Sequence, residues 1–379
     1  MSVSRRSFVS ALGLGSAGLL ASPAFGARGR EAELPSWLRA EPGSASPLIR
    51  LDSNENPNGP GAKAFEAMRG MFGEANRYPD AEERVLVEAI ARAHNVATEN
   101  IVLGCGSSET LRLCVEAFTS PTKALISASP TFEAPGRFAR LIGHPVIAVP
   151  VDAKLRLDLD QMAAKANGAG LIFVCNPNNP TATVHGASSV QAFVAQVRRT
   201  SPGTTILLDE AYHEYVDDPT YRTAVPMAIA DPNVIVSRTF SKVFGMAGMR
   251  AGYAIAHRDT ANRMQDWRVD SGINVLALAA ATASISDTAH IAEEQRKNRE
   301  AKAFTRAFFE NAGYAVSASE TNFLMVDLRR DPAPVRAASR QAGVAVGRPF
   351  PPLTNWLRVS IGTMDEMKRA TTVLARVLA

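Results

Sequence analysis

Ser237-Arg238-Thr239-Phe240-Ser241-Lys242 follows the apolar run Val234-Ile235-Val236, and Arg250 lies eight positions beyond the lysine. Two hydroxyls and an arginine in a Gly-punctuated loop form a donor set for phosphate. The planar fork of a guanidinium suits that anion better than an ammonium does. A lysine beside a phosphate site can bond an aldehyde as a Schiff base. The stretch therefore predicts a phosphorylated aldehyde cofactor, pyridoxal 5′-phosphate, held at the end of a buried strand.

The flanking sequence predicts the frame for such a site. Short apolar runs at 101–103, 124–126, 146–149, 171–174, 206–208, 234–236 and 253–255 alternate with helical stretches. Continuous apolar strands separated by helices predict a mostly parallel sheet covered on both faces. The pattern Val85, Leu86, Ala89, Ile90 predicts an amphipathic helix near 82–93. From about 275 one long helix to about 311 leads to strands near 314–316, 323–326, 344–346 and 357–361. Helices near 333–342 and at the C-terminus complete a smaller α+β unit. The fold class is α/β, with a large domain over 61–274 and a small C-terminal domain over 275–379. A Pro/Gly/Ser-rich arm spans 27–60.

Other parts of a pyridoxal phosphate site stand at the predicted strand ends, where open parallel sheets bind ligands. Gly104-Cys105-Gly106-Ser107-Ser108-Glu109 precedes a helix running to about Phe118. Free N–H groups at a helix start bind phosphate, and Gly106 permits close approach; Ser107 and Ser108 join Thr239, Ser241 and Arg250 as the second half of the cup. Asp209 ends an apolar strand, where a carboxylate is costly unless paired. A pyridinium N–H would pair it. Tyr212 is positioned to donate to O3′, with Glu210 the alternative carboxylate and His213 a neighbour. Asn176 to Thr181 is expected to form a Pro-fixed turn that aims an amide at the same oxygen. Phe132 offers a flat face to the ring. Arg358, a strand arginine among apolar residues, needs an anion, and a substrate α-carboxylate is the natural one.

The chain has 379 residues with 46% hydrophobic and 21% charged content, which is ordinary for a globular enzyme. Of the net charge of +4, Arg5 and Arg6 contribute two. No Lys/Arg block lies along an aromatic-rich surface, so nucleic acid is not an expected partner. Ser4-Arg5-Arg6-Ser7-Phe8-Val9 before the short apolar segment 11–20 resembles a twin-arginine export signal, read over 1–26 with cleavage after Ala24 or Gly26. That segment is too short for a stable membrane anchor, and the expected location is periplasmic or secreted. Cys105, Cys114 and Cys175 show no metal-ligand spacing and no disulfide is expected.

Taken together, the motifs resemble a fold-type I pyridoxal phosphate-dependent aminotransferase of class I/II, nearest the histidinol-phosphate aminotransferase branch. Leu51 to Pro57, Arg77-Tyr78-Pro79-Asp80, the Gly-Cys-Gly-Ser-Ser-Glu turn, Asn176 to Thr181 and Asp209 to Tyr212 appear in family order. So do Thr239 to Arg250, Thr321-Asn322-Phe323 and Leu357-Arg358-Val359. The resemblance covers roughly 50–379 and implies an aspartate aminotransferase-like fold. It implies that Lys242 carries the cofactor, that Asp209 and Tyr212 complete the catalytic set, and that Asn179 joins Tyr212 at O3′. It further implies that Tyr78 reaches the neighbouring subunit's cofactor phosphate in a homodimer with shared sites. Arg358, Arg348, Asn56 and Asn322 then fall on the substrate side, with an amino donor and a 2-oxo acid acceptor as substrates. Phe132 stands where this branch usually has tyrosine, and Arg348 lies one place later than the branch's usual arginine. A decarboxylase or lyase of the same fold is the alternative enzyme; a non-catalytic sensor built on the fold is the alternative outside catalysis.

Overall fold

The computed structural model describes residues 48–379. The twin-arginine leader over 1–26 and the arm as far as residue 47 lie outside the described residues.

Chain order gives β1 (Ile49–Leu51), β2 (Ile101–Gly104), β3 (Leu125–Ser129), β4 (Val146–Pro150), β5 (Leu171–Cys175), β6 (Thr205–Asp209), β7 (Val234–Thr239) and β8 (Gly252–Ala256). The seven apolar runs predicted as strands are β2 to β8, joined in one sheet of order β2-β8-β7-β6-β5-β3-β4. Only β8 runs against its neighbours β2 and β7; the remaining pairs are parallel. Every residue of β5, β6 and β7 is buried, because helices cover both faces. One face packs Ile172, Val174, Ile206 and Val236 into a core. The other packs Leu171, Phe173, Leu207 and Ile235. This alternation explains the unbroken apolar runs. Truncating one such leucine to alanine typically costs about 2–5 kcal/mol.

Parallel register sets the strand ends abreast. Cys175 lies opposite Asp209, and Asp209 opposite Ser237. The C-terminal ends of β5, β6 and β7 thus converge on one crevice, next to the helix Ser107–Phe118 that follows β2.

The remaining strands are β9 (Ala315–Val316), β10 (Phe323–Asp327), β11 (Val344–Val346) and β12 (Trp356–Ser360). They form an antiparallel sheet β12-β10-β9 and a parallel pair β1-β11. The helices Thr288–Asn311 and Met364–Leu378 help close a third core over them. Strand β1 falls in the stretch read as an irregular arm. Three residues with one exposed arginine at the centre carry too little pattern to announce a strand.

The helix expected over 275–311 is two helices, Val275–Ile285 and Thr288–Asn311, turning by 84° at the break. Ala277, Leu278, Ala280 and Ala281 belong to the core of the large sheet, where their helix packs against Ala62–Gly70 and Asp80–His94. By core membership the helix Val275–Ile285 goes with the large sheet. The Ala-rich helix buries Val275, Ala277, Leu278, Ala280, Ala281 and Ser284, and its other residues are half-buried, so it carries no charged face. Among the described residues no single helix is long and apolar enough to cross a membrane.

Candidate active site

The crevice at the strand ends is a cavity of about 460 Å³. It is lined by Ser107, Ser108, Phe132, Asn179, Asp209, Tyr212, Thr239, Ser241, Lys242, Arg250, Arg348 and Arg358, all named from sequence.

At its floor Asp209 is 3% exposed. Its Oδ2 is 3.9 Å from the Cys175 thiol, while Oδ1 is buried without a hydrogen-bond partner. Burial pushes this carboxyl up to about 7, with Lys242 drawing it down. Its neighbour Glu210 faces elsewhere and is fully engaged. Glu210 Oε2 lies 2.7 Å from Arg238 Nη2, and Oε1 accepts the Ala224 N–H at 2.7 Å. Arg238, the second residue of the opening stretch, therefore ties the sheet beneath the site and does not reach the cavity.

Lys242 Nζ donates to the backbone carbonyl of Asn54 at 3.1 Å and lies 5.4 Å from the centre of the Tyr212 ring. Burial lowers its ammonium to about 8, with Arg358 pushing the same way. The Tyr212 hydroxyl accepts from Asn54 Nδ2 at 3.2 Å, and burial raises its own ionisation well above the ordinary range. Asn54 was missed by sequence reading, yet it joins the site to both sheets. It is 1% exposed with φ 54°, its N–H donates to Ser360 Oγ at 2.9 Å, and its Oδ1 accepts from that hydroxyl at 2.8 Å. The usable signal was an asparagine in a turn-rich segment, since asparagine tolerates the left-handed region better than most residues.

The phosphate cup is assembled from two elements. Gly106, φ 74°, precedes the helix Ser107–Phe118, which has no side-chain cap; the first N–H groups of a helix lack intrahelical acceptors. A Cβ at Gly106 would lie 2.2 Å from Arg250 Nη2, so only glycine lets the guanidinium close on the helix start. Arg250 Nη1 donates to the Ala247 carbonyl at 2.8 Å and reaches Ser241 Oγ at 3.4 Å. Among the described residues no carboxylate forms an ion pair with Arg250. A free guanidinium, a helix N-terminus and hydroxyls within one cup fit a phosphate dianion. With an orphaned carboxylate oxygen and a lysine in the same cavity, the residues fit a phosphorylated pyridine aldehyde.

Arg358 is 7% exposed. It donates to Asn179 Oδ1 at 2.8 Å and to the Asp52 carbonyl at 2.7 Å, while its buried Nε has no partner. Burial lowers this guanidinium to about 10. Asn179 thus bonds Arg358 in this structure. Arg348 pairs with Glu133 at 2.6 Å.

Four sequence-named site residues stand outside the cavity lining, Gly106 at the helix start among them. Asn56 Nδ2 donates to the Val243 carbonyl at 2.9 Å, and Asn322 Nδ2 donates to the carbonyls of Asn54 and Glu55 at 3.1 and 3.2 Å. Both brace the chain around Lys242. Tyr78 is 86% exposed on the surface of this chain. Glu133, Thr131, Cys175 and Phe350 line the cavity without having been named.

Residues 46–374 match the family model of the class I and II aminotransferases, and the chain belongs to that family. It is 36% identical over 334 residues to the histidinol-phosphate aminotransferase of Symbiobacterium thermophilum, covering 87% of this chain and 91% of the relative. It is 35% identical over 325 residues to the aromatic amino acid aminotransferase of Thermobifida fusca, covering 86% and 89%. The crystal structure of histidinol-phosphate aminotransferase from Sinorhizobium meliloti in complex with pyridoxal-5′-phosphate superposes with a TM-score of 0.82 at 28% identity, over 87% of this chain and 90% of that one.

The lowered ammonium of Lys242 has a kinetic consequence, because only a neutral amine attacks an aldehyde. The rate at which the cofactor-free protein captures pyridoxal phosphate, followed by its visible absorbance, should rise between about pH 7 and about pH 9 and level off above. A rate still climbing steeply near pH 10.5, the ordinary lysine value, would contradict the assignment.

Proposed function

We propose that this protein uses pyridoxal 5′-phosphate to move an amino group to a 2-oxo acid. The donor is an aromatic amino acid or a phosphorylated amino alcohol such as histidinol phosphate. The carrying observation is the unpartnered Asp209 Oδ1 in one cavity with Lys242 and a phosphate cup. The named activities of the two sequence relatives support the donor classes.

When bound, the pyridine ring supplies an electron sink for charge developing at the substrate's α-carbon. Asp209 would keep the ring nitrogen protonated, because a buried carboxylate is stabilised by a cation and not by solvent. Ser107, Ser108, Thr239, Ser241 and Arg250 would anchor the phosphate and so fix the ring's position. Phe132 would cover one ring face, and Asn179 with Tyr212 would face O3′. Arg358 would bind the α-carboxylate or phosphate of the donor. Its two neutral partners leave its charge uncompensated for that purpose. Lys242, released by the incoming amine, would take the proton from the α-carbon; an amine of lowered basicity returns it readily.

The direct test pairs spectroscopy with a donor screen. Wild-type protein should show the visible band of the lysine-bound cofactor and form keto product from histidinol phosphate or an aromatic amino acid with 2-oxoglutarate. Lys242→Ala should lose the band and at least about a thousandfold in rate. Carbon dioxide release in place of keto product would sink the reading.

The same reading makes the protein a homodimer in which Tyr78 serves the partner's phosphate cup; a side chain 86% exposed on the single chain supports this. Sedimentation should give twice the chain mass, and Tyr78→Phe should weaken cofactor retention. A monomer with full activity removes Tyr78 from the site. Export by the twin-arginine route rests on Arg5 and Arg6 before a short apolar segment. Replacing both by lysine should keep the enzyme in the cytoplasmic fraction, and unchanged export would refute that route.

A further inference from the structure

Two guanidinium groups lie against one aromatic ring at the rim of the cavity. The Arg358 guanidinium carbon is 4.6 Å from the centre of the Phe350 ring, and that of Arg348 is 4.3 Å away. Glycine makes the approach possible. The Gly347 N–H donates to the Arg358 carbonyl at 2.8 Å, and a Cβ at Gly347 would lie 2.8 Å from that oxygen and 3.0 Å from the Arg358 Cβ. Arg348 is thereby carried past Arg358 on the same cavity wall.

The two arginines differ in charge balance. Arg358 bonds only an amide oxygen and a backbone carbonyl, and among the described residues it has no carboxylate partner. Arg348 has one: Glu133 Oε2 at 2.6 Å. Both members line the cavity, and their side chains are 47% and 60% exposed, so the pair stands at the solvent-facing rim. Glu133 is not free to drift with a loop. Its backbone stands at the N-cap position of the helix Ala134–Leu141 with the side chain left free of the helix, its carbonyl accepts the Arg137 N–H at 2.9 Å, and it directly follows Phe132 of the cavity wall.

We propose that Glu133 is a specificity-determining residue that competes, from within the chain, for Arg348. The proposal rests on the reading of Arg358 as the group that takes a ligand's first negative charge. A ligand with one negative charge needs Arg358 alone and leaves the rim pair intact. A ligand with further negative charge, on a second carboxylate or a phosphate ester, gains Arg348 only by displacing Glu133. It must then accept the released carboxylate nearby. Exposed ion pairs are weak, so the pair discriminates in a graded way and does not bar dianions. Glu133 thus tilts the site from doubly charged towards singly charged ligands, while Arg348 keeps the former admissible.

The test measures binding to the pyridoxal phosphate-loaded protein by titration calorimetry, with butyrate as monoanion and succinate and phenyl phosphate as dianions. Glu133→Gln should raise the preference for each dianion over butyrate about three- to fivefold, the range an exposed ion pair allows. In an Arg348→Met background the same substitution should no longer change that preference. A rise with succinate alone assigns the competed anion to a carboxylate; a rise with phenyl phosphate alone assigns it to a phosphate ester. A preference that stays constant or falls overturns the proposal. So does an equal rise in the Arg348→Met background, because Glu133 would then act without Arg348. Binding is read without turnover, so protein that behaves as expected here yet transfers no amino group refutes the proposed reaction and not the role of Glu133.

Discussion

A carboxylate buried at the end of a strand with one oxygen unpaired is the constraint from which the rest of the site follows. Asp209 has its second oxygen near a thiol, while the first has no partner. Removing such a group from water is costly unless a cation meets it. The cavity above it holds Lys242, Arg250 and Arg358, and none of them has a carboxylate partner among the described residues. The charges are separated along the cavity and not neutralised pairwise. That arrangement suits a ligand carrying a cationic ring nitrogen at one end and anions at the others. Glu210 shows the contrasting solution one residue away, where Arg238 pairs it fully. Two adjacent carboxylates, one the last residue of β6 and the other just beyond it, thus have opposite fates because successive side chains of an extended chain point to opposite sides.

The site is braced by a hub that makes no ligand contact of its own in this reading. Asn54 fixes the Lys242 ammonium through its carbonyl and the Tyr212 hydroxyl through its amide, and it is itself held by Ser360 of β12 and by Asn322. Gly245, with φ 69°, brings the loop beyond Lys242 so close to Gly59 that a Cβ would meet the Gly59 oxygen at 2.0 Å. The lysine is therefore gripped from the N-terminal segment on one side and from its own loop on the other. Orientation held by packed backbone, and not by long flexible side chains, suits a group that must give up and recover a proton at one carbon.

Much of this was legible in the residues. The strands of the large sheet stood out because burial on both faces erases polar punctuation, as in Leu171–Cys175 and Thr205–Asp209. The cavity-lining residues named from sequence were legible because they sit just past those strands, where glycine, serine and aspartate have no packing reason to be. What escaped depends on distant partners. Strand β1 exists through its pairing with β11, and nothing in Ile49–Leu51 announces that neighbour. The break at Ser286-Asp287 is set by which core each helix enters, while both sides keep helical periodicity. Asn56 and Asn322 donate their amide N–H groups to backbone carbonyls around Lys242, a bracing that depends on segments remote in sequence, while Asn322 Oδ1 is left without a partner. Glu133 went unnoticed because an exposed glutamate at a helix start is ordinary until an arginine from the small domain comes to face it.

The contact between Asn54 and Ser360 spans 306 positions. During synthesis the lysine, the aspartate and the phosphate cup all leave the ribosome long before Ser360 does. The large sheet can condense early, since β2 to β8 lie within 101–256. The Ser360 brace of its crevice nevertheless forms only after β12 has been translated, and closing so long a loop comes late. A nascent chain that has not yet reached β12 therefore carries the reactive lysine and Asn54 without the Ser360 hydroxyl that holds Asn54 in place.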